Sequence, residues 1–360
     1  MRLSRIDVLT CRGRVNGARG AAEKWTERAG LLLRLTTRDG HVGQGEASPL
    51  PRYSRDDFDG ARSALDAVDW DAVPEAEPGE SGRDHVARLA AFSGVLPPSA
   101  AFALETAVLD VVAQRRAVPL WALFGDAEPS RVPLSSLLGG ADDLDVVAAA
   151  SRAVARGVHT VKVKLTGPRL GPQLDTLGRL RDVLGARALR LDANGTFDAA
   201  TAVAELDALR ACNPELVEEP VPTASLPGLG ALPVPIALDE SLQDAAALAG
   251  LEPHLGRLRC VALVLKPMAL GGFARCLALA ARARVLGLDV TFSHLFDGPV
   301  GLAAAAHLAL AVGSRSRASG LDAHGGLEAW PPVALPFLDT TSVMATSSPG
   351  LGLPALEVPA

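Results

Sequence analysis

TVKVKL (Thr160–Leu165), LRLDAN (Leu189–Asn194), LVEEP (Leu216–Pro220), PIALDES (Pro235–Ser241) and VALVLKP (Val261–Pro267) decide the fold of this 360-residue chain. Each is a short apolar run that closes on charged or polar residues, and Ala/Leu/Arg-rich stretches of helical composition lie between them. From Lys164 to Asp192, Glu218, Asp239 and Lys266 the steps are 28, 26, 21 and 27 residues, the length of one strand plus one helix each time. With PLSSLLG (Pro133–Gly139) before them and DVTFSH (Asp289–His294) and SGLDAH (Ser319–His324) after, the pattern predicts eight parallel strands. No Gly-rich fingerprint or switch point breaks the series, so a closed barrel is expected rather than an open sheet.

In such a barrel the C-terminal strand ends converge on one mouth. Asp192, Glu218 and Asp239 therefore become neighbours, flanked by Lys164 on one side and Lys266 on the other. Any one of them has a duller explanation: an Asx turn in DANG, a solvated loop acid at Glu218 or Glu219, a helix cap at Asp239. Recurrence on consecutive strands argues against three coincidences. Three carboxylates at close range repel one another, and an oxygen-coordinated hard cation is the natural compensation. Mg²⁺ is expected because no His or Cys joins the cluster, and Mn²⁺ would accept the same ligands.

Lysine usage points to the same place. The chain holds four lysines against thirty-one arginines, and Lys162, Lys164 and Lys266 all stand at the ends of apolar runs. A guanidinium stays protonated at any working pH, whereas an ammonium crowded by other cations can release its proton and act as a base. Lys162 and Lys164 lie two apart on a strand and so share a face.

The N-terminal region reads as mixed structure. A strand is expected over Leu3–Thr10, then a hairpin of LLLRLTT and HVGQGEA about Arg38-Asp39-Gly40. Helices are expected over Asp56–Val68, Arg83–Phe92 and Ser99–Arg116, with Phe102, Leu109 and Val112 on a buried stripe and Pro119 as the stop. Residues 1–125 form an expected α+β capping domain and 126–330 the barrel, with the tail 331–360 folding back onto the first.

Composition narrows the partners. A formal charge of −6 and the lack of a Lys/Arg run give no phosphate-tracking face, so nucleic acid is not an expected partner. Cys11, Cys212, Cys260 and Cys276 are scattered without a C-x-x-C pair, which fits buried thiols in a reducing compartment. The N-terminus lacks a continuous apolar core, and Gly301–Val312 is too short to span a bilayer. No membrane is expected, and the cytoplasm is the expected compartment.

VKVKL, LDAN, VEEP, LDES and LKP in this order resemble the barrel motifs of the enolase superfamily, in its muconate-lactonising-enzyme subgroup. GEASPLPRYSRDD (Gly45–Asp57), PPSAAFALETAVLD (Pro97–Asp110) and HGGLEAW (His324–Trp330) are similar to the o-succinylbenzoate synthase family. The resemblance implies an α/β fold with a modified TIM barrel of (β/α)7β type. It also implies a metal-dependent hydro-lyase acting on a small carboxylate: syn dehydration of 2-succinyl-6-hydroxy-2,4-cyclohexadiene-1-carboxylate to o-succinylbenzoate in menaquinone biosynthesis. Asp192, Glu218 and Asp239 would hold Mg²⁺, Lys162 would add a positive contact, and Lys164 would take the α-proton and return it to the leaving hydroxyl. Lys266 would lie charged against the developing π-system.

For substrate contacts, Leu50 and Tyr53 on a covering loop (Ser48–Ser54), Asn194, Ser293 and the backbone near Gly298 are the candidates, and Asp322 and His324 read as structural hydrogen-bonding residues. The segment FSHLFDGPVG (Phe292–Gly301) departs from the Ser-rich version of some relatives, and Phe197 stands where many members carry Trp. The alternatives are an N-acylamino acid racemase or dipeptide epimerase, which uses both lysines as acid and base, and a metal-binding scaffold without turnover.

Overall fold

The computed structural model describes residues 2–19, 24–125, 131–167 and 169–358. A three-stranded antiparallel sheet opens the chain: β1 (Leu3–Arg19), β2 (Lys24–Thr37) and β3 (Val42–Ala47), in that order. The expected turn at Arg38–Gly40 joins β2 to β3, whereas β1 runs well past Thr10, paired with β2 down to Lys24. Helices α1 (Phe58–Asp66), α2 (Gly82–Ser93) and α3 (Pro98–Arg115) follow. α3 is buried from Ser99 to Ala113, and it packs on the sheet so closely that a Cβ at Gly45 would run into the Ala103 carbonyl. This approach, open only to glycine, seats the sheet on its helix. The expected domain boundary at 125/126 adjoins residues 126–130, outside the described residues.

After β4 (Arg131–Pro133) the chain alternates strand and helix: β5 (Ser135–Gly140), α4 (Val146–Ala155), β6 (Thr160–Lys164), α5 (Leu174–Leu184), β7 (Ala188–Asp192), α6 (Ala202–Ala208), β8 (Leu216–Glu218), β9 (Ile236–Leu238), α7 (Ala245–Leu251) and β10 (Cys260–Leu265). The short α8 (Pro267–Leu270) and α9 (Phe273–Leu286) lead to β11 (Asp289–Phe292) and α10 (Pro299–Val312). Strands β5 to β11 form one parallel sheet in sequence order, curled as a barrel.

The eighth expected strand is reduced to two bridges, Ser319 to Leu134 and Gly320 to Ser293. The seam is narrow: a Cβ at Gly320 would meet Ser293 Oγ at 3.0 Å, and the chain leaves the barrel at once for the turn Gly325–Ala329. In the tail, β12 (Ser342–Met344) pairs with β4, and the Leu351 and Leu356 amides reach Asp110 on α3 and Gln44 on β3.

Period-two alternation explains how the barrel is filled. On β6, Val161, Val163 and Leu165 pack into the apolar core, while Lys162 and Lys164 share the other face and are equally buried. On β7 the same alternation sets Arg190 below Asp192, beside Lys162 and Lys164 in register. Arg190 sits at the floor, where its Nε donates to Glu215 at 2.7 Å and its Nη1 to the Ala318 carbonyl at 2.5 Å. Arg317 joins Glu215 (2.8 Å) to Asp289 (2.7 Å).

Candidate active site

Five strand ends build the mouth. Lys164, Asp192 and Glu218 are the last residues of β6, β7 and β8, and Asp239 and Lys266 come directly after β9 and β10. The three acids are buried, and one carboxylate oxygen from each lies within 4.8 Å of the others. Lys162 Nζ contacts Asp192 at 2.8 Å and also Glu218. Lys164 donates to Asp192 at 3.2 Å and to Asn194 Oδ1 at 3.0 Å. Lys266 donates to Asp239 Oδ2 at 2.5 Å and to the Tyr53 hydroxyl at 2.9 Å. The expected metal ligands and the three lysines thus come together in one place.

Electrostatics show what the cluster lacks. Burial opposes the charge on Asp192, but Lys162, Lys164 and Lys266 overcome it and hold that carboxyl below the ordinary range. Burial, aided by Asp192 and Asp239, raises Glu218 despite Lys162. Burial also disfavours the Lys162 charge, yet Asp192 and Glu218 outweigh it and keep the ammonium protonated.

Glu219, in the left-handed region at φ 36°, turns away from the triad and accepts from the Asp239 amide (2.9 Å) and from Ser241. It braces the Asp239 turn rather than joining the ligand set. Burial pushes it up to about 7, and desolvation with the neighbouring Asp239 pushes the half-buried Glu240 up to about 8. Glu219 and Glu240, pushed toward the neutral form, stand beside the triad, and a dication would favour the ionised form of all three of its acids. The all-oxygen donor set fits a hard ion.

Above the cluster lies a cavity of about 300 Å³. Leu50, Pro51 and Tyr53 form one wall, Leu137, Leu295 and Phe296 another, and Lys162, Lys164, Asn194, Lys266 and Ser293 line it as well. Leu50, Tyr53, Asn194 and Ser293 thus reach the pocket, although Tyr53 and Asn194 turn their polar groups to the lysines. Asn194 Nδ2 also donates to Glu240 at 2.8 Å, and the Tyr53 hydroxyl to Asp239 Oδ1 at 2.9 Å.

Gly298 is a correction. Its amide and that of Gly301 donate to the buried Glu46 carboxylate at 2.5 and 2.8 Å, and a Cβ at Gly298 would strike the Trp330 indole. The first turn of α10 is already capped from within and cannot anchor a substrate carboxylate.

Two further wall residues matter: Asp322, read as structural from the sequence, and His294, set aside there as a base because Lys266 holds the sixth strand. Asp322 lines the pocket half-buried, its carboxyl raised to about 6 by burial. His294 accepts from the Phe296 amide at Nδ1 (3.1 Å), and burial and then the three lysines depress it to about 3, so it is a neutral imidazole. Its Nε2 lies 3.9 Å from Asp322, and its ring stacks on His324 with centroids 3.8 Å apart. Among the described residues no helix is long and apolar enough to cross a membrane.

A curled parallel barrel with three acids and two flanking lysines at its mouth defines a site suited to a metal-assisted enzyme. A family model described as enolase C-terminal domain-like matches residues 145–357. The L-Lys-D/L-Arg epimerase of Methylococcus capsulatus is 31% identical over 341 residues, 90% of each chain. The o-succinylbenzoate synthase of Desulfotalea psychrophila is 27% identical over 301 residues, 74% of this chain and 79% of that one. A dipeptide epimerase structure from Methylococcus capsulatus, complexed with Mg and the dipeptide L-Arg-D-Lys, superposes with a TM-score of 0.83 at 28% identity, covering 98% of this chain and 99% of that one. The chain belongs to the enolase superfamily, in its muconate-lactonising-like subgroup, and is a metal-dependent enzyme.

Proposed function

We propose that the protein is a dipeptide epimerase, moving a proton on and off the carbon α to the substrate's terminal carboxylate between Lys164 and Lys266. The observation that carries this reading is the pair of lysines on either flank of one buried triad, each within reach of a different acid. Mg²⁺, or Mn²⁺ in its place, held by Asp192, Glu218 and Asp239 would supply the fixed positive charge that makes extra negative charge on the substrate carboxylate tolerable. Lys162, protonated between Asp192 and Glu218, adds a second positive contact near the same oxygens. One lysine takes the α-proton, the other returns a proton to the opposite face, and the configuration inverts. Leu50, Pro51 and Phe296 exclude water from the reacting carbon.

Asp322 directs the choice of substrate. A carboxylate on the far wall suits the amino-terminal ammonium of a dipeptide better than the second carboxylate of a succinyl group, which it would repel. The likeness to the L-Lys-D/L-Arg epimerase supports the same choice.

Dehydration to o-succinylbenzoate is the second reading, favoured by the apolar walls at Leu137, Leu295 and Phe296 and by the likeness to the synthase. The test incubates the protein with Mg²⁺ and a dipeptide library in D2O, and in parallel follows the ultraviolet change of the cyclohexadiene carboxylate. Deuterium at the carboxyl-terminal α-carbon of both epimers is the expected result. Aromatisation of the diene with no deuterium in any dipeptide would replace the epimerase by the synthase.

A further inference from the structure

The two lysines are held by different parts of the molecule. Lys164 is fixed by Asp192 and Asn194, both from the end of β7, so its surroundings belong to the barrel. Lys266 is fixed by Asp239 and by the hydroxyl of Tyr53, which arrives on the loop after β3. Its ammonium also lies 4.2 Å from the centre of the Tyr53 ring, in cation–π range.

That loop is built to present Tyr53. The Tyr53 and Ser54 amides donate back to the Leu50 carbonyl at 3.1 and 2.9 Å. Arg52 takes the left-handed region at φ 67°, which turns the next side chain toward the barrel. Arg28 anchors the loop's base through the Ser48 and Pro49 carbonyls at 2.7 and 3.0 Å.

We infer that Tyr53 is a positioning residue for Lys266 alone, so that proton transfer on one face of the substrate depends on the covering loop while transfer on the other face depends on Asn194 and the barrel. The inference rests on the epimerase reading and extends it. A phenol that both accepts from the ammonium and donates to Asp239 Oδ1 leaves Nζ few orientations. Asn194, which accepts from Lys164 and donates to Glu240, does the same on the other side. Both groups leave the stoichiometry untouched: one proton leaves the α-carbon to one lysine, and one returns from the other.

The test measures deuterium wash-in separately for each epimer of a dipeptide that the wild-type protein exchanges. Lys266→Ala and Lys164→Ala identify which epimer each lysine serves. Tyr53→Phe, which keeps the ring, should shift the ratio of the two wash-in rates about tenfold in the direction of Lys266→Ala, a loss equivalent to one hydrogen bond. Asn194→Gly, which keeps the positive φ of 45° without strain, should shift the ratio in the opposite direction. Thermal stabilisation by Mg²⁺ alone should persist in Tyr53→Phe.

An unchanged ratio in Tyr53→Phe, or a shift in the same direction for both variants, overturns the inference while the epimerase reading stands. Loss of the Mg²⁺ stabilisation in Tyr53→Phe also overturns it, because the phenol would then act through Asp239. Absence of wash-in for either epimer of any dipeptide in the wild-type protein removes the epimerase reading itself.

Discussion

At the floor of the barrel two guanidiniums meet two carboxylates, and at its mouth three acids meet three ammoniums with Glu219 and Glu240 crowded in beside them. The same strands carry both ends: Arg190 and Asp192 are two residues apart on β7 and face the same interior. The floor is closed with matched charge, forked guanidinium geometry and a backbone carbonyl for the remaining donor, an arrangement that holds structure together. The mouth crowds acids that burial makes reluctant to ionise and uses lysine, a single-point cation able to serve as a proton carrier. Guanidiniums forked onto acids mark the end that stabilises, and acids crowded together by burial mark the end that can take a cation.

The largest effect should come from removing one acid at the mouth. Mg²⁺ at a hundredfold over its dissociation constant should stabilise the wild-type protein by about 2.7 kcal/mol against heat. Glu218→Gln should lose that gain and slow proton exchange by about a thousandfold, roughly 4 kcal/mol of barrier. Calorimetry with and without chelator, beside an exchange assay, reads both.

Next come two exchanges of cation between the ends. Lys164→Arg keeps the charge but loses the base, and turnover should fall by about 10³-fold, nearly as far as in Lys164→Ala. Arg190→Lys keeps the charge but cannot serve Glu215 and the Ala318 carbonyl together, so urea denaturation should show a loss of about 1–3 kcal/mol, with exchange per folded molecule retained. A robustly active Lys164→Arg, or an inactive but fully stable Arg190→Lys, would erase the distinction between the ends.

The smallest effect concerns pH. Asp322, raised to about 6, is neutral below that value and charged above it. Affinity for an ammonium-bearing dipeptide should therefore improve as pH rises through 6, with KM falling by about tenfold, and Asp322→Asn should flatten the profile. A profile unaltered by that substitution would detach Asp322 from the substrate.

Much of the mouth was legible in the sequence because barrel geometry turns a regular spacing into proximity. The steps from Lys164 to Lys266 needed only a strand and a helix per interval, and Lys162 and Lys164 face inward together because strand periodicity is two. The α3 helix was legible from its apolar residues and Pro119. What escaped has no local signature. The continuation of β1 past Thr10 carries two apolar core residues, Cys11 and Val15, among polar ones and is held by its pairing with β2, so its own sequence announces little. Glu46 lies in the expected HVGQGEA strand, and its role as the cap of α10 depends on residues more than 250 positions away. The floor pairs Arg190 with a carbonyl 128 residues on, which no periodicity announces. The eighth strand is only two residues long, yet Ser319 and Gly320 bridge Leu134 on one side and Ser293 on the other, which joins the two ends of the curled sheet.

Glu46 also ties the fate of the two lobes together. Its carboxylate belongs to the three-stranded sheet, yet the amides it satisfies open the last barrel helix. Pulling the lobes apart would take from the Glu46 carboxyl its two amide donors and leave the first turn of α10 without its cap. Heat should therefore melt the molecule in a single event, and a chimera that borrows a foreign first lobe must bring a plug of its own for that helix.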